Sequence, residues 1–172
     1  MMEQLKAIFK SYTDKTESFS MKGIKCYCRI VKAYDADTIN VILPLGNGYY
    51  KFSVRINGID TCEMKAKNKK NKEYAQKARD RLFELVTDIT VDPNLDETKK
   101  KKFIQDQLRK EPYMVWIECD DMDKYGRILG TIKKSEESTE SFSDILLKEH
   151  LAYAYGGATK LTEEEQIKYL ES

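Results

Sequence analysis

The sequence predicts an α+β domain, a closed barrel of five short strands with about three packed helices. Three observations carry this. Between Ile24 and Asn57, β-branched and aromatic residues alternate in three runs separated by turn residues. From Glu73 to Val86 the apolar spacing changes to that of an amphipathic helix. Two more strand-like runs, Tyr113 to Cys119 and Arg127 to Ile132, then precede two short helical segments. Five strands with a helix between the third and fourth is the order of an OB-fold β-barrel.

In chain order, residues 1–22 read as an extension, with Leu5, Ile8 and Phe9 on one face of a short helix, and residues 23–172 as the domain. Ile24 to Tyr34 is the first strand and Thr38 to Leu45 the second. Gly46-Asn47-Gly48 offers positive-φ residues for a hairpin turn, and Tyr49 to Asn57 returns as the third strand. A lysine-rich loop follows over 65–72. The next helix carries Tyr74, Ala75, Ala78, Leu82, Leu85 and Val86 on its apolar side. Residues around 88–112 form an insert, interrupted by Pro93, in which Asp96 to Arg109 can make a further charged helix. Ser143 is a candidate cap for a helix running to about His150. Thr162 and Glu165 have the spacing of a capping box for a last helix bearing Ile167 and Leu170.

Composition narrows the function classes. A chain of 172 residues with 41% hydrophobic residues suffices for one core. It contains no apolar run of the roughly 18 residues a membrane span needs. Met1 to Lys6 lacks the apolar stretch of a signal peptide, so an intracellular protein is expected unless a leader was removed. The net charge of +1 does not itself call for a polyanionic partner. Local runs differ: Lys65, Lys67, Lys69, Lys70 and Lys72 form one, and Lys99 to Lys102 another. Such runs either track phosphates or are solvated faces. His150 is the single histidine, which argues against zinc, and the four cysteines read as small buried hydrophobes.

Three segments carry chemistry. Asp35-Ala36-Asp37-Thr38 lies between the first two strands, Arg55 to Glu63 ends the third, and Asp123-Lys124-Tyr125-Gly126-Arg127 precedes the fifth. Acids at strand ends suit a hard, oxygen-binding cation such as calcium. Arginines offer planar, permanently charged forks for phosphate. Metal, carboxylate and cationic clamps are together the parts of a phosphoryl-transfer site. Taken singly, each segment also fits turn chemistry or a surface ion pair.

In combination the segments resemble the staphylococcal nuclease (thermonuclease) family. Asp35-Ala36-Asp37-Thr38-Ile39 matches its first motif with alanine in place of glycine. Arg55 followed by Asp60-Thr61-Cys62-Glu63 matches the second at unchanged spacing, with Cys62 in place of proline. Asp123 to Arg127 matches the third completely, and the resemblance extends over residues 23 to about 170.

The resemblance implies a calcium-dependent endonuclease that hydrolyses DNA and RNA by metal-activated water attack, leaving 3′-phosphate and 5′-hydroxyl ends. It implies that Asp37, Asp60 and the carbonyl of Thr61 bind Ca2+, with water completing the shell. Glu63 would orient or deprotonate the attacking water, and Arg55 and Arg127 would clamp the phosphate. Lys124 and Tyr125 would contact a neighbouring phosphate, and Tyr155, with Tyr153 close by, would line the pocket. Single-stranded or flexible substrate and a monomer are expected. Some relatives of this kind have lost catalytic residues and serve as docking modules, but Asp37, Arg55, Asp60, Glu63 and Arg127 are all present here. Two departures bear on the site. If the first motif needs positive φ at its second position, Ala36 is strained by about 1 kcal/mol or more. Cys62 puts a thiol near the site, where it offers a redox switch.

Overall fold

The computed structural model describes all 172 residues. Period-two burial turns one face of each strand inward and so builds the barrel. Strands β1 (Lys25–Ala33), β2 (Thr38–Leu45) and β3 (Gly48–Ile56) form an antiparallel meander. Leu45 pairs with Gly48, so the loop is Gly46-Asn47, and of these two only Gly46 takes positive φ, at +57°. That is the hairpin turn with glycine at its first central position. Strands β5 (Met114–Met122) and β6 (Ile128–Lys133) form a second hairpin, and the barrel closes in the order β1-β2-β3-β6-β5. Two-residue strands β4 (Ile59–Asp60) and β7 (Tyr153–Ala154) pair beside it.

Ile30, Ile39, Val41, Val54, Ile117, Ile128 and Ile132 are buried in the core. Each such side chain stabilises the fold by about 1.5–3 kcal/mol. The one parallel junction of the barrel, β3 with β6, is closely packed at Gly130. A Cβ at Gly130 would lie 2.9 Å from Val54 Cγ1 and 3.2 Å from Ile117 Cδ1, so this position admits no side chain without movement.

Five helices accompany the barrel: α1 (Met2–Phe9), α2 (Lys69–Thr87), α3 (Glu97–Lys110), α4 (Phe142–Lys148) and α5 (Glu163–Leu170). α1 buries no residue, whereas the other four all do, and the addition to the expected three is α3 from the insert. Ile104 and Leu108 of α3 join the core, and the fully buried Arg79 of α2 donates to Glu97 and Asp80. Arg29 Nη2 caps the end of α3 by donating to the carbonyls of Leu108 and Arg109 at 3.2 and 3.0 Å. Three lysines of this helix pair with neighbouring acids, Lys99 with Asp96 at 3.5 Å, Lys100 with Asp80 at 3.4 Å and Lys102 with Asp106 at 2.5 Å.

Three local expectations change. The lysine-rich segment is half helix, because Asn68 caps α2 and Glu163 accepts the N–H groups of Lys67 and Asn68 at 2.9 Å. The cap of α4 is Ser141, in a capping box with Asp144, while Ser143 spends its hydroxyl on the Asn57 carbonyl. Met21, placed in the extension by sequence, is fully buried in the core. The Thr162–Glu165 capping box forms, and His150 adopts φ +55° just past α4. No helix is long and apolar enough to cross a membrane.

Candidate active site

At one end of the barrel, the β1–β2 turn, the end of β3, the 123–127 turn and the loop after β7 surround a cleft of about 580 Å³. Asp35 organises the first of these. Its Oδ1 accepts the N–H groups of Asp37 at 3.2 Å and Thr38 at 2.8 Å. That local bonding is the reason an aspartate begins such a turn. Burial, reinforced by the Asp37 charge, pushes the Asp35 carboxyl up to about 7. Ala36 is fully buried and does not have positive φ, so the strain expected from the missing glycine does not arise.

Asp37 follows, held by the second segment. Its Oδ2 accepts the Thr61 N–H at 3.1 Å and the Thr61 hydroxyl at 2.9 Å. Thr38 stands opposite Arg55 in the β2–β3 ladder, which brings the first and second segments together. Arg55 is buried, and its Nη2 donates to Asp60 Oδ1 at 2.8 Å and lies 3.5 Å from Asp37 Oδ2. Its Nη1 donates to the carbonyls of Asp37 and Ile56, and the guanidinium carbon stands 5.8 Å from the Tyr155 ring centroid.

Asp60 has no exposed surface and is surrounded by donors: Arg55, the Tyr153 hydroxyl and Lys160 Nζ, the last at 3.0 Å. Burial raises its pKa although Tyr153 and Lys160 act to lower it, and the Asp37 charge adds to the rise. Glu63 is exposed at the cleft edge and accepts Lys160 Nζ at 3.1 Å. Burial acts to lower the Lys160 pKa, but its bonds to Asp60 and Glu63 outweigh that and raise it.

The third segment is a tight turn in which Gly126 takes φ +78° and donates its N–H to the Asp123 carbonyl. Asp123 Oδ2 accepts Arg127 Nε at 2.7 Å, and its Oδ1 accepts the N–H groups of Tyr125 and Arg127. Burial opposes ionisation of Asp123, yet these bonds hold its carboxyl below the usual range. Arg127 is thereby aimed into the cleft, with Nη1 3.4 Å from the Thr38 hydroxyl. Tyr125 is exposed at the rim, its ring 5.1 Å from Lys124 Nζ and 5.5 Å from the Arg127 guanidinium carbon.

Asp37, Arg55, Glu63, Lys124, Tyr125, Arg127 and Tyr155 all line this one cleft, while Asp60 and Thr61 lie buried beneath it. The sequence reading missed Lys160 and the bond from Tyr153 to Asp60. No group of three His, Cys, Asp or Glu side chains gathers about a single point. The available donors are two carboxylates and the Thr61 carbonyl, which accepts no hydrogen bond within the protein. An all-oxygen set completed by water fits calcium chemically, and the absence of thiolate or imidazole disfavours zinc. Cys62 is buried, and burial pushes its thiol up to about 11, which works against the thiolate a redox switch needs.

A closed OB-type barrel with acids and arginines converging at one rim has the charged groups that phosphate chemistry uses. The family model described as staphylococcal nuclease homologue matches residues 53–172. The chain belongs to that family of nuclease-type domains. A comparison with curated proteins gave no match. Asp37 lies before the matched span and is tied to it by the β2–β3 ladder and by its bonds to Thr61.

Proposed function

We propose that this chain is a calcium-dependent endonuclease acting on DNA and RNA, working as a monomer with residues 21–172 as its catalytic domain, Met21 of the expected extension being part of its core. The observation that carries the reading is the meeting of Asp37, Arg55, Glu63 and Arg127 in one cleft above the buried Asp60. Asp37, Asp60 and the Thr61 carbonyl would hold the ion. When bound, calcium supplies positive charge to a phosphoryl oxygen and acidifies nearby water.

The protein's own groups do the rest. Glu63 accepts a proton from the attacking water. The water oxygen bonds to phosphorus, the bond to the 5′ oxygen breaks, and that oxygen takes up a proton from solvent water as it leaves. The products are a 3′-phosphate and a 5′-hydroxyl. Arg55 and Arg127 bind the phosphate oxygens as charge builds on them, an interaction worth most in the transition state. Arg127 suits this role because only its Nε is committed to a carboxylate. Lys124 and Tyr125 hold the next phosphate at the rim, and Tyr155 packs against the nucleotide. Contacts made mainly to phosphate and sugar leave little sequence selectivity. A cleft that encloses one nucleotide favours single-stranded or flexible substrate.

The test is cleavage of single-stranded DNA with calcium and with EGTA. Cleavage is expected to require calcium and to fall about 10²–10⁴-fold in Glu63→Gln. In Arg127→Ala a loss of about 10²–10³-fold is expected. A folded protein that binds DNA with calcium present but never cuts it overturns the reading and makes the chain a docking module.

A further inference from the structure

Lys160 is the one cation of the cleft that reaches both a proposed calcium ligand and the proposed base. Its Nζ lies 3.0 Å from Asp60 Oδ1 and 3.1 Å from Glu63 Oε1. We propose that Lys160 sets the affinity of the calcium site as a tethered competitor: its ammonium occupies Asp60 and Glu63 when no ion is bound and leaves them when one enters. The inference rests on the calcium reading given above.

The oxygens of Asp60 force the competition. Oδ2 is taken by the Tyr153 hydroxyl, and Oδ1 receives both Arg55 and Lys160. A calcium ion binds carboxylate oxygen at about 2.3–2.6 Å. A divalent ion and an ammonium on the same oxygen would stand within a few ångströms of each other, where like charges repel strongly. One of the resident cations must therefore move. Arg55 is fixed, because it is buried and its Nη1 is also committed to two backbone carbonyls. Lys160 is not fixed. Its side chain is 46% exposed, and Asp60 and Glu63 are its only ion-pair partners.

The chain before it is built to swing. Gly156-Gly157-Ala158-Thr159 separates Lys160 from Tyr155 with no large side chain, and Gly157 takes φ +90°. These four residues are exposed, and the link from the Tyr155 hydroxyl to the Ala158 carbonyl, at 2.8 Å, is a single bond. Downstream the chain is fixed by the Thr162 cap of α5, so the lysine moves on a short arm between two anchored ends. The resident ammonium also has a use in the ion-free protein. It offsets the repulsion among Asp37, Asp60 and Glu63, which Arg55 alone meets only in part.

Titration of calcium into chelator-stripped protein, followed by calorimetry without nucleic acid, decides this. Lys160→Met is expected to bind calcium about tenfold more tightly than the parent chain, as follows from removing a rival charge from a buried acid. Lys124→Met removes the same charge from the same cleft without touching either acid, and is expected to shift the affinity by less than about twofold. Equal affinity in Lys160→Met and the parent chain, or weaker affinity in the variant, overturns the inference and leaves the calcium reading standing. Equal tightening in both variants overturns it as well, since a general field effect then suffices. Absence of calcium binding in all three proteins overturns both this inference and the calcium reading.

Discussion

Tyr153 and Tyr155 are two residues apart on one short segment and serve the site in different ways. Tyr155 lines the cleft with its ring beside Arg55, while Tyr153 is buried and donates its hydroxyl to Asp60. Burial, with the Asp60 carboxylate beside it, pushes the Tyr153 phenol up, so it remains a donor at neutral pH. Tyr153→Phe leaves one oxygen of a fully buried carboxylate without that partner, and urea unfolding of the calcium-free protein should show a loss of about 1–3 kcal/mol. The thiols give a second prediction at this scale. Burial pushes both Cys62 and Cys119 up to about 11, and Cys28 is raised further by burial and its thiol neighbours. Only Cys26 is partly exposed. Native protein at pH 8 should therefore release colour from a thiol reagent at no more than one cysteine, and four after denaturation; rapid labelling of Cys62 would restore it as a redox site. The acids and arginines of the cleft were legible because each lies in a short linear pattern. Lys160 was not, because its partner Glu63 is 97 residues away and Gly-Gly-Ala-Thr ahead of it reads as plain loop.

Among the elements, β6 shows most directly how packing constrains sequence. Gly130 pairs with Ile56 on one side and Cys119 on the other, at the junction that closes the barrel. An added methyl meets Val54 and Ile117, both fully buried, so neither can yield into solvent. Gly130→Ala should destabilise the fold by about 1–3 kcal/mol, read as a lower midpoint in chemical denaturation with an unchanged slope. An unchanged midpoint would mean the barrel relaxes there at no cost. Elements were legible where periodicity ran long enough: the five barrel strands and α2 each span several repeats of their pattern. β4 and β7, at two residues each, are too short to carry any period. The α4 cap was misread because Ser141 and Ser143 are both plausible from spacing, and a tertiary bond to Asn57 decides between them. The start of α2 was hidden among lysines because its cap, Asn68, is supported from α5 by Glu163.

Across the whole molecule, the proposed calcium site joins parts of the chain that only the folded barrel brings together. Asp37 comes from the β1–β2 turn and Asp60 from β4, and the ladder between β2 and β3 sets their separation. The unfolded chain has no such arrangement of oxygens, so an ion that binds here binds the native state alone. Its binding free energy then adds to the stability of the entire domain. At a calcium concentration about 100 times the dissociation constant, that contribution is about 2.7 kcal/mol. For a domain of this size each kcal/mol moves the unfolding midpoint by about 2–4 °C, so scanning calorimetry should find it about 5–10 °C higher in calcium than in EGTA. Asp60→Asn should abolish the calcium-dependent part of that shift, because its amide cannot supply the charge the ion requires. Magnesium should give a smaller shift, since it demands strict octahedral geometry and dehydrates reluctantly, while this site offers two carboxylates already crowded by Arg55 and Lys160. A midpoint that ignores calcium at every concentration would remove the ion from the site and, with it, the reason for two buried acids to gather about Arg55.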